Sequence, residues 1–122
     1  MKSYLFNQVR IWDWGIQFPG TITINWEVFI DQEWFIEFFE DFYGIGEEAS
    51  SYDSVYFYPA VINFYWAELK KPDSEEIIRI HFPKGREQRD EFKRLVAFYI
   101  FKELELEEKK DKEQIIRKIF KN

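Results

Sequence analysis

Apolar and polar residues alternate along three stretches of the chain, and this period of two predicts β-strands. The stretches cover residues 2–12, 21–30 and 76–82, and the middle one has the cleanest alternation. Residues 55–69 are apolar at almost every position, which is typical of a strand that is buried on both faces. Pro59 lies within this stretch and predicts a split or a bulge there.

Residues 32–43 follow the helical period instead. On a helical wheel their apolar side chains cover an arc of about 200°, wider than the roughly 100° stripe of a one-sided surface helix. Asp31 is a suitable N-cap, and Gly44 is a suitable C-terminal glycine. The other arc holds four acidic residues, Glu33, Glu37, Glu40 and Asp41. An apolar arc this wide predicts a helix that is wedged between two surfaces or keeps apolar area for a partner. The acidic residues four positions apart repel one another, so we expect the relief of this repulsion to come from elsewhere in the fold.

A second, longer helix is predicted over residues 86–106, where apolar residues recur at helical spacing. Residues 44–54 are predicted to form a loop, and residues 115–120 a short amphipathic helix. These elements predict an α+β fold with a mostly antiparallel sheet of about four to five strands. Two helices pack on one face of that sheet, in the order ββα-ββ(β)α. We expect residues 1–106 to form a single α+β domain, and residues 107–122 to form a charged connector and the short C-terminal helix.

The composition is unusual in its high content of aromatic residues. Aromatic residues make up 21% of the 122 residues, more than one small core easily hides, so some are expected at the surface. The chain has no cysteine, which excludes disulfides and thiolate metal sites and fits an intracellular protein. It also has no apolar run long enough for a signal peptide or a membrane span. We therefore expect a cytoplasmic protein that does not enter a membrane.

The charges are distributed unevenly between the two halves of the chain. From Ile11 to Leu69 there is no lysine, arginine or histidine in 59 consecutive residues, whereas the same window holds eleven acidic residues. Residues 1–69 carry a formal charge of −9, and residues 70–122 carry +3. An asymmetry of this size points to an interaction with a charged partner.

Candidate catalytic chemistry is sparse. The single histidine, His81, alternates with apolar neighbours and is expected on the more polar face of its strand. The chain lacks a nucleophile elbow and a phosphate-binding loop. Glu47, Glu48 and Asp53 do not have the spacing of a calcium loop, and the ligands of a zinc site are missing. We expect no enzymatic activity, no metal and no cofactor, and no direct binding of nucleic acid because the aromatic half is the acidic half.

The acidic and aromatic segment 31–44 has three interpretations. It is a core helix with a solvated acidic face, it pairs with the basic start of the second helix, or it recognises a basic protein. The basic start comprises Lys84, Arg86, Arg89, Lys93 and Arg94. An acidic face on one helix does not require 59 consecutive residues without a basic side chain. The length of this window therefore favours the third interpretation, recognition of a basic protein.

We therefore expect a non-enzymatic inhibitor whose acidic, aromatic-rich surface blocks a basic protein, such as a nuclease or a nucleoprotein complex. In size, charge and layout the chain resembles immunity proteins that plug nuclease toxins, and phage or archaeal-virus inhibitors of host nucleases such as anti-CRISPR proteins. The expected acidic contacts are Glu33, Glu37, Glu40, Asp41, Glu47 and Glu48, and the expected aromatic anchors are Trp12, Trp14, Tyr43 and Tyr52.

Two alternatives belong to other functional classes. The aromatic residues could line the cavity of a small-molecule or lipid-binding module. They could instead lie at the interface of a homo-oligomeric structural protein, such as a homodimer. An inhibitor requires an exposed acidic patch, a ligand-binding module requires an enclosed cavity, and an oligomer requires a symmetric interface.

Overall fold

The computed structural model describes residues 2–20, 22–45 and 60–121, and it confirms the predicted α+β class. Its strands form two four-stranded sheets rather than one sheet of four to five strands, and three helices accompany them. The predicted break at Pro59, and all of the predicted loop 44–54 except its first two residues, lie outside the described residues.

The first sheet is an antiparallel meander in which each strand pairs with the next. Its strands are β1 (Ser3–Phe6), β2 (Val9–Trp12), β3 (Gly15–Gln17) and β4 (Thr23–Asn25). The single strand predicted over 2–12 is therefore a hairpin, which turns at Asn7 and Gln8. Asn7 has a φ of 56°, a left-handed conformation that asparagine tolerates better than most residues.

Helix α1 (Trp26–Asp31) corrects the prediction that 21–30 is one strand. The side chain of Asn25 accepts a hydrogen bond from the backbone N–H of Val28 at 2.8 Å, and this cap starts the helix. Trp26 and Phe29 are three residues apart and lie on the same helical face, and both are fully buried. Trp26 fits the alternating pattern of 21–30 and also lies at helical spacing from Phe29. The alternation therefore continues past the end of β4 and does not show where α1 begins.

The second sheet has the strand order β7-β6-β5-β8. Its strands are β5 (Phe35–Ile45), β6 (Ala60–Lys70), β7 (Ile77–His81) and β8 (Phe120–Lys121). The helix predicted over 32–43 is wrong, because β5 occupies most of that range. Strand β5 pairs with β6 in an antiparallel ladder from Phe35–Lys70 to Ile45–Ala60, and it pairs in parallel with β8.

Two physical effects favour this strand over the predicted helix. Aromatic and β-branched residues pack well on a pleated sheet, and β5 consists mainly of such residues. A helix would also have placed Glu33, Glu37 and Asp41 on one face at spacings of four residues, whereas the strand relieves that repulsion. The ladder with β6 supplies long-range hydrogen bonds that a local wheel does not reveal.

The remaining helices are α2 (Arg86–Glu103) and α3 (Lys109–Ile119). Helix α2 confirms the prediction over 86–106 and ends three residues earlier. Helix α3 begins at Lys109, so it includes much of the predicted connector and is longer than the helix predicted over 115–120. Ile119 and Phe120 are buried, so the C-terminal segment contributes directly to the core.

One cluster of buried residues includes side chains from both sheets, with Phe92 of α2 among its aromatic rings. The ring centroid of Phe92 lies 5.2 Å from that of Phe6 in β1, 5.5 Å from that of Phe82 after β7 and 6.3 Å from that of Phe38 in β5. One side chain thus contacts both sheets. Within the described residues, none of the helices is long and apolar enough to cross a membrane.

Candidate functional site

The second sheet has an inner face that contacts the core and an outer face on which aromatic and charged side chains alternate. We define the outer face by three rows of residues that lie side by side across β5, β6 and β7. The rows are Phe35–Lys70–Ile77, Glu37–Glu68–Arg79 and Phe39–Trp66–His81. Directly opposite residues of antiparallel strands point to the same side, so all nine side chains share one surface.

The aromatic row of this outer face is ordered by stacking. The rings of Phe39 and Trp66 are nearly parallel, at 11°, and their centroids are 5.4 Å apart. The ammonium group of Lys70 lies 5.5 Å from the centroid of Phe39, within cation–π range. His81 ends the row on β7 and is exposed, in agreement with its predicted place on the more polar face.

The charged row is centred on Glu68, which is only 8% exposed although it is on the outer face. Its carboxylate accepts hydrogen bonds from Nε1 of Trp66 at 3.3 Å and from Nη2 of Arg79 at 3.2 Å. Nζ of Lys70 lies 3.3 Å from the same carboxylate and 3.2 Å from Oε1 of Glu37. The charged row and Lys70 of the adjacent row therefore form a connected network of two acidic and two basic residues.

Two pKa values shift within this network. Burial raises the pKa of Glu68, but the hydrogen bonds from Trp66, Lys70 and Arg79 outweigh burial and leave the pKa below its ordinary value. Burial lowers the pKa of Lys70, and its contacts with Glu37 and Glu68 outweigh that effect and raise the pKa. Both shifts favour the charged forms, so Glu68 and Lys70 are ionised at neutral pH.

A second feature is the part of the β5–β6 ladder that extends beyond β7 and β8. Strand β7 pairs with β6 only at residues 66–70, and β8 pairs with β5 only at residues 36 and 37. We call the remaining part, residues 40–45 and 60–65, the hairpin arm. Phe42 is 67% exposed on one face of the arm, and Phe64 is 51% exposed on the other. The arm therefore presents large apolar side chains to solvent on both faces.

The predicted acidic contacts do not form one face. Glu33 follows α1 in a turn, has a φ of 60° and is exposed. Glu37 and Asp41 are on the outer side of β5, whereas Glu40 is on the inner side because side chains alternate along a strand. Oε2 of Glu40 lies 3.5 Å from Nη1 of Arg89, so one acidic residue does pair with the basic start of α2. The side chain of Asp41 accepts a hydrogen bond from the backbone N–H of Phe42 at 2.9 Å.

The predicted aromatic anchors are separated as well. Trp12 and Trp14 stack with centroids 5.9 Å apart, but they belong to the first sheet and the turn that follows β2. Trp14 is exposed, whereas Trp12 is half-buried and donates from Nε1 to Gln17 at 3.3 Å. Tyr43 is in β5 opposite Ile62 in the hairpin arm. The other predicted contacts, Glu47, Glu48 and Tyr52, lie outside the described residues.

Sequence reasoning missed the residues that form the exposed aromatic surfaces. They are Phe39 and Trp66 on the outer face, and Phe42 and Phe64 on the hairpin arm. A signal was present in the sequence FIEFFEDFY, where aromatic residues occur at both odd and even positions. Such a strand places aromatic side chains on both faces, and only one face can contact the core.

The surface also has grooves that are open to solvent. One, of about 670 Å³, lies at the end of α2 and is lined partly by Phe98, Phe101 and Leu106. A smaller one of about 370 Å³ lies beside β6 and includes Phe64 and His81. These are open depressions rather than the enclosed cavity that a ligand-binding module requires.

No family model, no curated protein and no solved structure matches this chain. Across residues 2–20, 22–45 and 60–121, no three histidine or acidic side chains come together as metal ligands would. A functional assignment therefore depends on the outer face and the hairpin arm themselves.

Proposed function

We propose that this protein is a non-enzymatic inhibitor that binds a basic, nucleic-acid-handling protein through its hairpin arm. The observation that carries the proposal is the exposure of Phe42 and Phe64 on an arm without any basic residue. Aromatic side chains that are exposed in the free protein and become buried in a complex supply a large share of the binding energy. The proposal places the contact on a strand hairpin instead of the helix expected from the sequence.

The charge of the hairpin arm and its connection supports a cationic partner. Residues 40–65 contain five acidic residues and no lysine, arginine or histidine. Arg89 compensates one of these charges, that of Glu40. Acidic residues around apolar anchors attract a basic surface over long range and speed association with it.

The shape of the arm supports insertion into a groove. A ladder of two strands is marginally stable without a third strand or a packed face. The chain nevertheless keeps large apolar residues on both faces of the arm. A partner that encloses the arm would bury Phe42 and Phe64 at the same time, which one flat surface would not do.

The test is affinity capture from a lysate of the source cell or its host, at low and at high salt, with bound proteins identified by mass spectrometry. We expect a basic nuclease or nucleoprotein complex that is retained at low salt and released at high salt. Retention should fall at least tenfold for Phe42→Ser and for Asp41→Lys, which alter the arm. The matched control is Phe98→Ser, since Phe98 is 59% exposed on α2 and is not part of the arm.

Two outcomes would overturn the proposal. One is capture of a basic protein with equal efficiency by the wild type and both arm variants. The other is the absence of any protein whose retention depends on salt. Direct binding of purified single-stranded or duplex nucleic acid, in the absence of protein, would also contradict it.

A further inference from the structure

The outer face of the second sheet is an interaction surface of its own, and we propose that it binds the outer face of a second copy of this chain. The inference does not depend on the proposed function, because it concerns side chains outside the hairpin arm. It starts from the fact that the outer face is rich in apolar residues although its charges are balanced. Its four apolar and aromatic members are Phe35, Phe39, Trp66 and Ile77.

The charges on the outer face do not select a strongly charged partner. Glu37 and Glu68 are compensated by Arg79 of the charged row and by Lys70 of the adjacent row. A neutral, internally paired surface with apolar rows on both sides is compatible with a protein face of similar composition. It differs from the hairpin arm, where acidic residues are in excess.

The β5 and β7 members of the rows are complementary to one another under two-fold symmetry, whereas the β6 members lie on the axis and face their own equivalents. When two outer faces pack with the symmetry axis along β6, β5 of one copy lies over β7 of the other, and each row faces its own equivalent. Phe35 then lies over Ile77 of the second copy, which pairs two apolar side chains. Glu37 lies over Arg79 of the second copy, which pairs opposite charges. Each of these contacts is formed twice.

The side chains of the charged row have capacity for this second set of contacts. Arg79 uses Nη2 to bind Glu68, its side chain is 58% exposed, and a guanidinium has five N–H donors. Glu37 contacts Lys70 through Oε1, and its side chain is 30% exposed. Along the axis, Trp66, Glu68 and Lys70 would each meet their own equivalent in the second copy. Aromatic residues such as Trp66 are common at interface centres. The charges of Glu68 and Lys70 are already paired with opposite charges within their own chain.

The size of the outer face sets the expected strength. Three strands about 4.8 Å apart, over three rows, cover less area than a standard interface of roughly 800 Å² per partner. We therefore expect a weak dimer that forms reversibly at micromolar to millimolar protein concentration.

The experiment is sedimentation velocity on the wild-type chain and its variants, from the low micromolar range to about 1 mM. The wild type should shift from monomer to dimer over this range. Glu37→Arg and Arg79→Glu should each weaken the dimer at least tenfold, because each places like charges opposite one another. An equimolar mixture of the two variants should associate again, since both pairs of contacts then join opposite charges.

A second substitution separates dimerisation from folding, because Glu37 and Arg79 also form contacts within the chain. Ile77→Glu changes a side chain that is 54% exposed at the edge of the sheet, and it should abolish the dimer while leaving the circular dichroism spectrum unchanged. The matched control is Ile22→Glu, at 53% exposure beside the first sheet, which should dimerise like the wild type. A wild type that stays monomeric throughout the range would overturn the inference. So would a dimer that both isoleucine variants retain equally, or a mixture of charge variants that fails to associate while each remains folded.

Discussion

The two sheets differ in what they do with their aromatic residues. Around the first sheet, Phe18, Trp26, Phe29 and Trp34 are buried and pack on one another, with ring centroids 5.2 to 6.2 Å apart. On the second sheet, some aromatic residues face the core, but others stack on the outer face or extend along the hairpin arm. The first group is explained by the stability of the fold, whereas the second exposes apolar area to water at a cost. This difference separates the residues that maintain the structure from those that are available for binding.

The largest effect is expected from the aromatic residue that joins the two regions. Phe92→Ala removes a fully buried ring that contacts both sheets, and it should lower the free energy of unfolding by about 3–5 kcal/mol. Phe98→Ala, on the same helix at 59% exposure, should lower it by less than about 1 kcal/mol. Urea unfolding followed by circular dichroism measures both values. Equal losses would show that exposure does not distinguish the two kinds of aromatic residue.

A smaller but substantial effect is expected within the first sheet. A Cβ atom at Gly15 would lie 2.3 Å from the carbonyl oxygen of Ile24 and 2.8 Å from Cα of Asn25. Both neighbours are backbone atoms of β4, so Gly15→Ala must displace that strand and should cost about 1–3 kcal/mol. Hydrogen exchange should show the loss of protection at β3 and β4 first. Unchanged protection there would mean that the two strands separate more easily than their pairing indicates.

A pH-dependent effect is expected from the charged row of the outer face. The folded-state pKa of Glu68 is below the ordinary value of 4.5, so its ionised form stabilises the fold at neutral pH. This contribution is fully present above about pH 4.5 and is lost as the pH falls through the lower folded-state value. Glu68→Gln should therefore be less stable than the wild type by about 1–2 kcal/mol at pH 7. The difference in stability between the wild type and Glu68→Gln should decrease as the pH falls below 4.5. Thermal melts at several pH values would measure it. A stability difference that does not change with pH would exclude the ion pairs of Glu68 as its cause.

The smallest effect on stability is expected on the hairpin arm. Phe42 is 67% exposed, so Phe42→Ser should change the free energy of unfolding by less than about 0.5 kcal/mol. The same substitution is expected to weaken partner capture strongly, so stability and binding should separate at this residue. A large loss of stability would place Phe42 with the structural aromatic residues and weaken the proposed role of the arm.

Sequence reasoning succeeded where one period dominated and failed where two periods fitted the same residues. The strand at β7 and the helix α2 were predicted because their patterns have a single interpretation. Segment 32–43 satisfies a helical wheel, but its aromatic residues also fit a strand with two apolar faces. The ladder between β5 and β6 decides between the two, and it joins residues 15 to 35 positions apart.

The candidate site was harder to predict than the fold class for the same reason. The sequence singled out the acidic residues as candidate contacts on one face, but the strand distributes Glu37 and Glu40 to opposite faces. The basic residues that compensate them, Lys70 and Arg89, come from β6 and α2. Their proximity follows from long-range pairing, which no local pattern encodes.

The pairing of β8 with β5 makes the assembly of the second sheet depend on a distant part of the chain. Phe120 must find Ile36 across most of the sequence, whereas the strands of the first sheet each pair with their immediate neighbour. Contacts between distant positions form slowly because a long loop must be closed first. We expect the meander of the first sheet to form early and the edge of β5 to be covered last. Until β8 pairs with β5, the edge of β5 is free to pair with a wrong strand or with another chain. The longer this edge stays unpaired, the more the folding chain is prone to aggregate.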